Sequence, residues 1–177
     1  MRINGKGYIA SVIFLVVFAV VSLWKVKGNQ LLYQHNEGLI FGTVYHITYQ
    51  YSEDLQSEIN ALLKRFDKSL SPFNEESIIA AINRNDTAVR VDEYFKTVFS
   101  RSKEIYVASE GAFDPTVSPL INVWGFGFSK ADDITPFKID SLLQMVGMDK
   151  ISLLNGKVIK KDRRMTLNFS AIAKGYS

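Results

Sequence analysis

The sequence predicts a mixed fold of the α+β or α/β class, in which strands alternate with packing helices. Tyr45, Ile47 and Tyr49 alternate with polar residues, which is the two-residue period of a half-buried strand. Between residues 52 and 70, apolar residues instead recur every three or four positions, as on one face of a helix. Asn155-Gly156 lies between two apolar runs and predicts a β-hairpin with a two-residue turn.

Further helices and one more strand complete the predicted order of elements. The predicted helices cover residues 52–70, a short stretch from Asn74 as N-cap to Ile82, residues 92–110 with a C-terminal cap at Gly111, and a stretch from Thr135-Pro136 to Gly147. Met165, Leu167 and Phe169 alternate like a strand. Ser170 to Tyr176 then opens a helix with small side chains.

The N-terminal region differs from the rest in composition and predicts three segments. Tyr8 to Leu23 carries no charge, and its length is close to the lower limit of about 17 residues for a membrane span. Because no small-x-small cleavage site follows, an uncleaved anchor is favoured over a cleaved signal peptide. We therefore assign residues 1–27 to a membrane anchor or signal segment, residues 28–37 to a polar linker and residues 38–177 to the globular domain.

Charge and cysteine content exclude several classes of function. Net charge is +3, but four of the basic residues precede residue 31, and the remainder carries 17 basic against 18 acidic residues. This near-neutral body gives no electrostatic case for binding nucleic acid. The absence of cysteine excludes disulfides, thiolate zinc sites, cysteine nucleophiles and a lipoprotein anchor.

The stretch from Glu110 to Phe128 is apolar but is broken by glycine and proline at short intervals. This composition predicts a loop that is pressed into a core or around a flat ligand, and both interpretations stay open. Its one carboxylate after Glu110 is Asp114. Near the C-terminus, Lys174 follows small residues at a strand-to-helix turn, and its point charge suits a pyrophosphate.

A basic cluster follows the predicted hairpin, at Lys157, Lys160, Lys161, Arg163 and Arg164. It could bind phosphates or a membrane. A solvated edge strand, in which lysine discourages strand-to-strand aggregation, is the favoured interpretation. Neither His35 nor His46 is assigned a catalytic role.

Several segments resemble the ApbE-type FAD:protein FMN transferases. GAFDPTVSPLINVWGFG is similar to that family's GAFDxTVxPLxxxWGFG, and SAIAKGY is similar to its DxSAIAKGYAVD. Phe41-Gly42-Thr43 resembles the family's M-G-T, with Phe41 in place of methionine, and Ser71 and Phe73 match positions of MSxYxxxSExxxxN. Asn168 stands where the family usually has aspartate, which keeps hydrogen-bonding capacity but removes a charge.

The resemblance implies an α+β (mixed α/β) fold with an antiparallel-rich sheet and packing helices. It also implies a magnesium-dependent enzyme that moves FMN from FAD to a threonine of an acceptor flavoprotein, such as a subunit of a membrane redox complex. It also implies a location at the bacterial inner membrane, with the domain on the periplasmic or extracytoplasmic side. The carbonyl of Ala171 would be a ligand of Mg²⁺. The residues that would bind the FAD are Phe41, Ala112, Phe113, Asp114, Asn168 and Lys174.

Relatives of this family continue for a comparable length beyond the matched region. We therefore expect the chain to be an N-terminal portion that holds half of the flavin pocket, has little or no activity and lacks the general base. Two alternative functions stay open. One is a non-catalytic, membrane-tethered flavin-binding module, and the other is a Mg²⁺-dependent FAD pyrophosphatase.

Overall fold

Helices alternate with two short β-hairpins in this computed structural model, which describes residues 12–22, 32–127 and 134–176. The mixed α and β content agrees with the predicted class. The elements are α1 (12–22), β1 (Tyr33–Ile40), β2 (Thr43–Gln50), α2 (Gln56–Leu70), α3 (Ile78–Asn83), α4 (Glu93–Ala108), α5 (Ser118–Val123), α6 (Pro136–Leu143), a 3₁₀ turn (Met148–Lys150), β3 (Ile151–Leu154), β4 (Lys157–Lys160) and α7 (Ser170–Tyr176).

The predicted membrane segment is described only in part. Residues 12–22 are helical, whereas residues 8–11 and 23 lie outside the described residues. Over the three described ranges, no helix is long and apolar enough to cross a bilayer. The predicted linker is also described only in part, and its residues 33–37 are the first five residues of β1.

The described chain is divided into two compact units. The first contains the described residues up to Glu37 together with His46–Leu55, and the second contains Gly38–Tyr45 and Gln56 onward. Within the first unit, His35 Nδ1 lies 3.1 Å from Thr48 Oγ1 across the hairpin of β1 and β2. The predicted alternation along β2 is confirmed, because every second side chain from Tyr45 is half-buried.

The hydrophobic core of the second unit collects side chains from most of its elements. α2, α3, α4, the 3₁₀ turn, β3 and residues 165–169 all contribute. Its buried members are Phe66, Leu70, Ile79, Ile82, Val91, Phe95, Val98, Phe99, Met145, Met148, Ile151, Met165, Leu167 and Phe169. Burial of this apolar surface is the main favourable contribution to the stability of this unit.

Helix termini differ from the predicted caps at two places. The N-cap of α3 is Ser77, whose hydroxyl accepts from the backbone N–H of Ala80, whereas Asn74 forms a local turn with Glu76. At the end of α4, Glu110 takes the left-handed position with a φ of 53°, and Gly111 follows it. The N–H of Gly111 binds the carbonyl of Tyr106, which satisfies an orphan carbonyl of the helix.

The glycine- and proline-rich stretch contains a helix that the sequence interpretation missed. α5 covers Ser118–Val123, with Pro119 in its first turn, where a missing N–H costs nothing. Its position after Thr116 and Val117 leaves only the flanks of the stretch as loop. Phe128 lies outside the described residues.

The predicted hairpin is confirmed. β3 and β4 pair antiparallel with Leu154 opposite Lys157, and Asn155 and Gly156 have φ angles of 51° and 73°. Two positive φ angles in a two-residue loop are the signature of a type I′ turn. Two lysines of the basic cluster are held by carbonyls: Lys157 Nζ donates to Thr87, and Lys160 Nζ donates to Ile82.

Residues 165–169 have the burial predicted for a strand but not its pairing. Met165, Leu167 and Phe169 are fully buried, yet the segment forms no ladder. The reason is that a side chain takes the place of a neighbouring strand. Asn83 Nδ2 donates to the carbonyl of Leu167 at 2.9 Å, and its Oδ1 accepts from the same residue's N–H at 2.8 Å. The strand prediction is therefore wrong, although the alternation that motivated it is real.

α6 begins as predicted, with the Thr135 hydroxyl accepting from the N–H of Lys138. It ends earlier than predicted, at Leu143, and none of its residues is buried. Gly147 is not its cap. With a φ of 139°, this glycine instead directly precedes the 3₁₀ turn. Its own N–H donates to Thr116 Oγ1 at 2.7 Å.

Candidate functional site

A cavity in the second unit gathers residues from three distant parts of the sequence. Its volume is about 160 Å³. Pockets that enclose drug-sized ligands measure about 300 to 1,000 Å³, so this one is sized for part of a ligand, such as one planar ring system or a phosphate group. The lining is mostly apolar and aromatic, with one lysine, two serines and one threonine. It consists of Phe41, Thr43, Phe66, Leu70, Ser71, Pro72, Phe73, Ser170, Ala173 and Lys174.

Phe41 reaches the cavity from the turn between β1 and β2. Phe41 and Gly42 have φ angles of 54° and 74°, so a bulky residue occupies a left-handed position that favours glycine or asparagine. Such strain costs about 1 kcal/mol or more and concentrates at functional sites. Tyr45 anchors this turn to α2, because its hydroxyl donates to Asn60 and accepts from Gln56, both at 2.7 Å.

The turn after α2 forms a second wall of the cavity. Ser71 is buried, with 3% of its surface exposed, whereas Phe73 is 62% exposed. The backbone of Ser71 is fully engaged, since its N–H donates to Asp67 and its carbonyl accepts from the N–H of Asn74 and the hydroxyl of Ser77. These bonds fix the turn that carries Phe73.

The third wall is the start of α7. The carbonyl of Phe169 accepts from the N–H groups of Ile172 and Ala173, and Asn168 Oδ1 accepts from the N–H of Ser170 at 2.8 Å. Farther along, the ring of Tyr176 lies 5.4 Å from that of Phe66, centroid to centroid. This contact holds α7 against α2. Lys174 lies between these two fixed points and lines the cavity.

The predicted FAD-binding residues of the glycine-rich stretch do not line this cavity. Ala112 is exposed, and Phe113 and Asp114 are half-buried. The carboxylate of Asp114 is engaged within the protein. Its Oδ1 accepts from the N–H and the hydroxyl of Thr116 at 2.8 and 2.6 Å, and its Oδ2 accepts from the N–H of Met148 at 3.3 Å.

One hydrogen bond nevertheless joins the two stretches that the sequence singled out. The N–H of Asn168 donates to the carbonyl of Pro115 at 2.8 Å. Pro115 directly follows Asp114, and Asn168 lies two positions before Ser170, the first residue of α7. The glycine-rich stretch and the lysine-bearing segment are therefore neighbours in space, and the loop supports the segment from which α7 starts.

Comparison with known proteins identifies the family. A sequence model of the ApbE family matches residues 41–177. This chain belongs to the ApbE family. The match begins at Phe41, the first residue of the cavity, and includes both stretches described above.

Relatives of this ApbE chain are known in sequence and in structure. The chain is 31% identical over 155 residues to an FAD:protein FMN transferase of Haemophilus influenzae, covering 78% of this chain and 45% of that protein. A relative of the same description from Vibrio cholerae is 28% identical, covering 80% of this chain and 46% of that protein. The chain therefore spans about half the length of the curated relatives it matches.

Solved structures share the fold. The flavin transferase ApbE of Vibrio cholerae superposes with a TM-score of 0.75 at 27% identity, over 82% of this chain and 50% of that one. The apo form of the Pseudomonas stutzeri flavinyl transferase ApbE gives 0.72 at 25% identity, over 83% of this chain and 52% of that one. The predicted mixed α+β, ApbE-like fold is confirmed.

The donor set for a metal is sparse in this part of the ApbE fold. Among the described residues, no group of three or more His, Cys, Asp or Glu side chains could hold a metal ion. Ala171, the predicted magnesium ligand, lies in the first turn of α7 and offers a backbone carbonyl. Magnesium prefers six oxygen ligands in near-octahedral geometry. The donors present do not by themselves complete such a site.

A tyrosine beside the Asp114 loop, which is residues 109–117 between α4 and α5, is held in its neutral form. Partial burial raises the pKa of the Tyr106 phenol, and the carboxylates of Asp149 and Asp114 raise that pKa further. The Tyr106 hydroxyl lies 3.5 Å from Asp149 Oδ1. Near neutral pH, Tyr106 is therefore a hydrogen-bond donor and not a base.

The sequence interpretation missed three polar residues that support the cavity and the Asp114 loop. Ser77 caps α3 and braces the Ser71 carbonyl, Asn83 pairs with Leu167, and Thr116 links Asp114 to Gly147. Ser77 could have been found, because a serine directly before an apolar run is an N-cap signal. The partners of Asn83 and Thr116 are distant in sequence and leave no local signal.

Proposed function

We propose that the protein carrying this chain is an FAD:protein FMN transferase. It binds FAD, and a threonine hydroxyl of an acceptor flavoprotein attacks the FMN phosphorus. A P–O bond forms to the threonine as its O–H bond breaks and the proton passes to solvent. The pyrophosphate P–O bond breaks, and AMP leaves. The proposal is supported by family membership and by the curated description of the relatives.

The observation that carries this proposal is that Phe41 and Lys174, which are far apart in sequence, line one cavity. An aromatic wall suits a flat ring, and an ammonium group suits the phosphates next to it. The cavity has room for one of these groups, so the rest of the dinucleotide extends beyond it. Lys174 then neutralises negative charge as the pyrophosphate is cleaved.

Magnesium is part of the proposal through the family resemblance. When bound, it would neutralise the pyrophosphate charge. Since the described donors do not complete a site for it, no catalytic step is assigned to it here. We assign Ala171 as one ligand, and Ala112, Phe113 and Asn168 as FAD contacts made beyond the cavity. Asp114 holds the loop that presents Ala112 and Phe113 to the FAD.

The proposed location is the extracytoplasmic side of a bacterial inner membrane, with Tyr8 to Leu23 as the anchor. Its support is the uncharged N-terminal run, which has basic residues on both sides. Membrane fractionation followed by protease treatment of spheroplasts tests this location. Recovery of the protein in the soluble cytoplasmic fraction would contradict it.

The activity is tested by incubating the protein with FAD, Mg²⁺ and an acceptor flavoprotein, then measuring flavin fluorescence on the denatured acceptor. Covalent fluorescence that requires the threonine of the acceptor is the expected result. Release of AMP without labelling of any acceptor would instead identify a pyrophosphatase. Saturable FAD binding with no reaction would identify a binding module.

A further inference from the structure

A buried serine in the cavity wall has a hydroxyl without a partner. Within the described part of the chain, Ser71 Oγ is buried and makes no hydrogen bond. An unpaired hydroxyl in the interior costs about 1 to 3 kcal/mol, so most buried polar groups are paired. This group therefore requires an explanation.

The remainder of Ser71 is fully occupied. Its N–H donates to the carbonyl of Asp67, and its own carbonyl accepts from Asn74 and from Ser77. The hydroxyl is therefore the polar group of Ser71 that remains available to a ligand in the cavity, which Ser71 lines. Rotation about the Cα–Cβ bond moves the hydroxyl among three staggered positions, which gives it reach without any backbone change.

The neighbours of Ser71 define the chemistry of its missing partner. Phe41, Phe66 and Phe73 line the same cavity, and Lys174 lines it as well. Aromatic walls accept a flat ring, and a hydroxyl can both donate to and accept from heteroatoms on the edge of such a ring. A hydrocarbon ring would leave the hydroxyl unpaired, so a heterocycle fits this site better.

We propose that Ser71 is a specificity-determining residue, whose hydroxyl hydrogen-bonds a heteroatom on the edge of the aromatic heterocycle that enters this cavity. Ligand binding then supplies the partner that the free protein lacks. The inference rests on the proposed function, because the dinucleotide provides this ring as either isoalloxazine or adenine. It deepens that function by assigning the recognition of the ring to a buried hydroxyl.

Ser71→Ala tests the proposal, with Ser102→Ala as the matched control. Ser102 is also fully buried with an unpaired hydroxyl, but it does not line the cavity. Neither substitution removes an internal hydrogen bond, so neither variant is expected to unfold at a lower temperature than the parent. The affinity of each protein for FAD, FMN and AMP is measured by titration calorimetry on the full chain.

The expected result is that Ser71→Ala weakens FAD binding about five-fold, the equivalent of one ordinary hydrogen bond, while Ser102→Ala leaves it unchanged. A matching loss with FMN identifies the isoalloxazine as the ring, and a matching loss with AMP identifies adenine. Unchanged FAD affinity in Ser71→Ala overturns the inference, as does an equal loss in both variants or a marked drop in the melting temperature of Ser71→Ala. If the parent protein itself fails to bind FAD, the proposed function fails together with the inference.

Discussion

The Asp114 loop and the cavity wall that contains Ser71 both carry residues of the family motifs. The polar groups of these two residues differ in how many hydrogen bonds they accept. The carboxylate of Asp114 accepts three hydrogen bonds from within the protein, whereas the Ser71 hydroxyl accepts none. The first group already has its partners when no ligand is bound. A motif residue can therefore either build the site or contact its ligand, and hydrogen-bond occupancy distinguishes these roles.

Asp114→Ala is expected to give the largest effect and the strongest test of this comparison. The substitution removes the acceptor for the N–H and hydroxyl of Thr116, which is fully buried, and for the N–H of Met148. Unsatisfied buried donors cost about 1 to 3 kcal/mol each, so we expect a loss of about 2 to 4 kcal/mol in the free energy of unfolding. Urea denaturation measures it.

Asp114→Asn is the matched control, because it keeps the oxygen that faces Thr116 and gives up the second acceptor and the charge. We expect it to recover at least half of the lost stability. The comparison would be wrong if Asp114→Ala kept the parent stability and lost only FAD binding, since the carboxylate would then be a ligand contact and not a part of the scaffold.

Local signals explain which elements the sequence could predict. Asn155-Gly156 specifies its own turn, and Thr135 followed by Pro136 specifies a helix start, so both were found without any knowledge of distant contacts. The sequence interpretation missed α5 because the glycines and prolines of the stretch, taken together, disfavour a helix. Pro119 in the first turn of that helix is in fact a start signal.

Distant contacts explain what the sequence could not predict. The alternation of Met165, Leu167 and Phe169 revealed which side chains are buried, but the partner of this backbone is Asn83, which is 84 positions from Leu167. In the same way, motif resemblance selected Lys174 and Asp114 equally. Only the folded chain places one at the cavity and the other in a closed hydrogen-bond network.

Lys174→Ala probes the cavity side of the comparison. We expect FAD affinity to fall about ten-fold, since a charged hydrogen bond to phosphate contributes about 1.5 kcal/mol or more. The loss should shrink at high salt, because screening already weakens the interaction in the parent. Lys161→Ala is the control, as this exposed lysine lies outside the cavity. Equal losses in both variants would show a general charge effect and remove the special role of Lys174.

Two exposed phenylalanines sharpen the comparison further. Phe73 lines the cavity and is 62% exposed, and Phe126 lies in the glycine-rich stretch and is 85% exposed. Loss of an aromatic contact costs about 0.5 to 1.5 kcal/mol, so Phe73→Ala should weaken FAD binding about five-fold while Phe126→Ala has less effect. Fluorescence titration of FAD measures both affinities. A larger loss for Phe126→Ala would place the aromatic ring of the ligand against the loop and reverse our assignment.

The smallest expected effect concerns the Asp162 carboxylate, whose four hydrogen bonds all come from Arg164, an arginine with a side chain that is 65% exposed. Asp162 accepts from the Arg164 side chain and from its backbone N–H, and these bonds lower the pKa of Asp162 from 3.8 to about 2. Since the folded pKa lies below the unfolded one, the pair stabilises the protein above pH 3.8. That contribution is lost as the pH falls toward 2.

Asp162→Asn should therefore have a slightly lower melting temperature than the parent at neutral pH. The difference should vanish as the solution is acidified. Exposed ion pairs contribute little because water and salt screen them. Thermal melts of both proteins between about pH 2 and 7 measure this difference. If Asp162→Asn destabilised the protein at neutral pH as much as Asp114→Asn does, the number of hydrogen bonds alone would set the effect. Burial would then no longer explain why the Asp114 loop serves as scaffold.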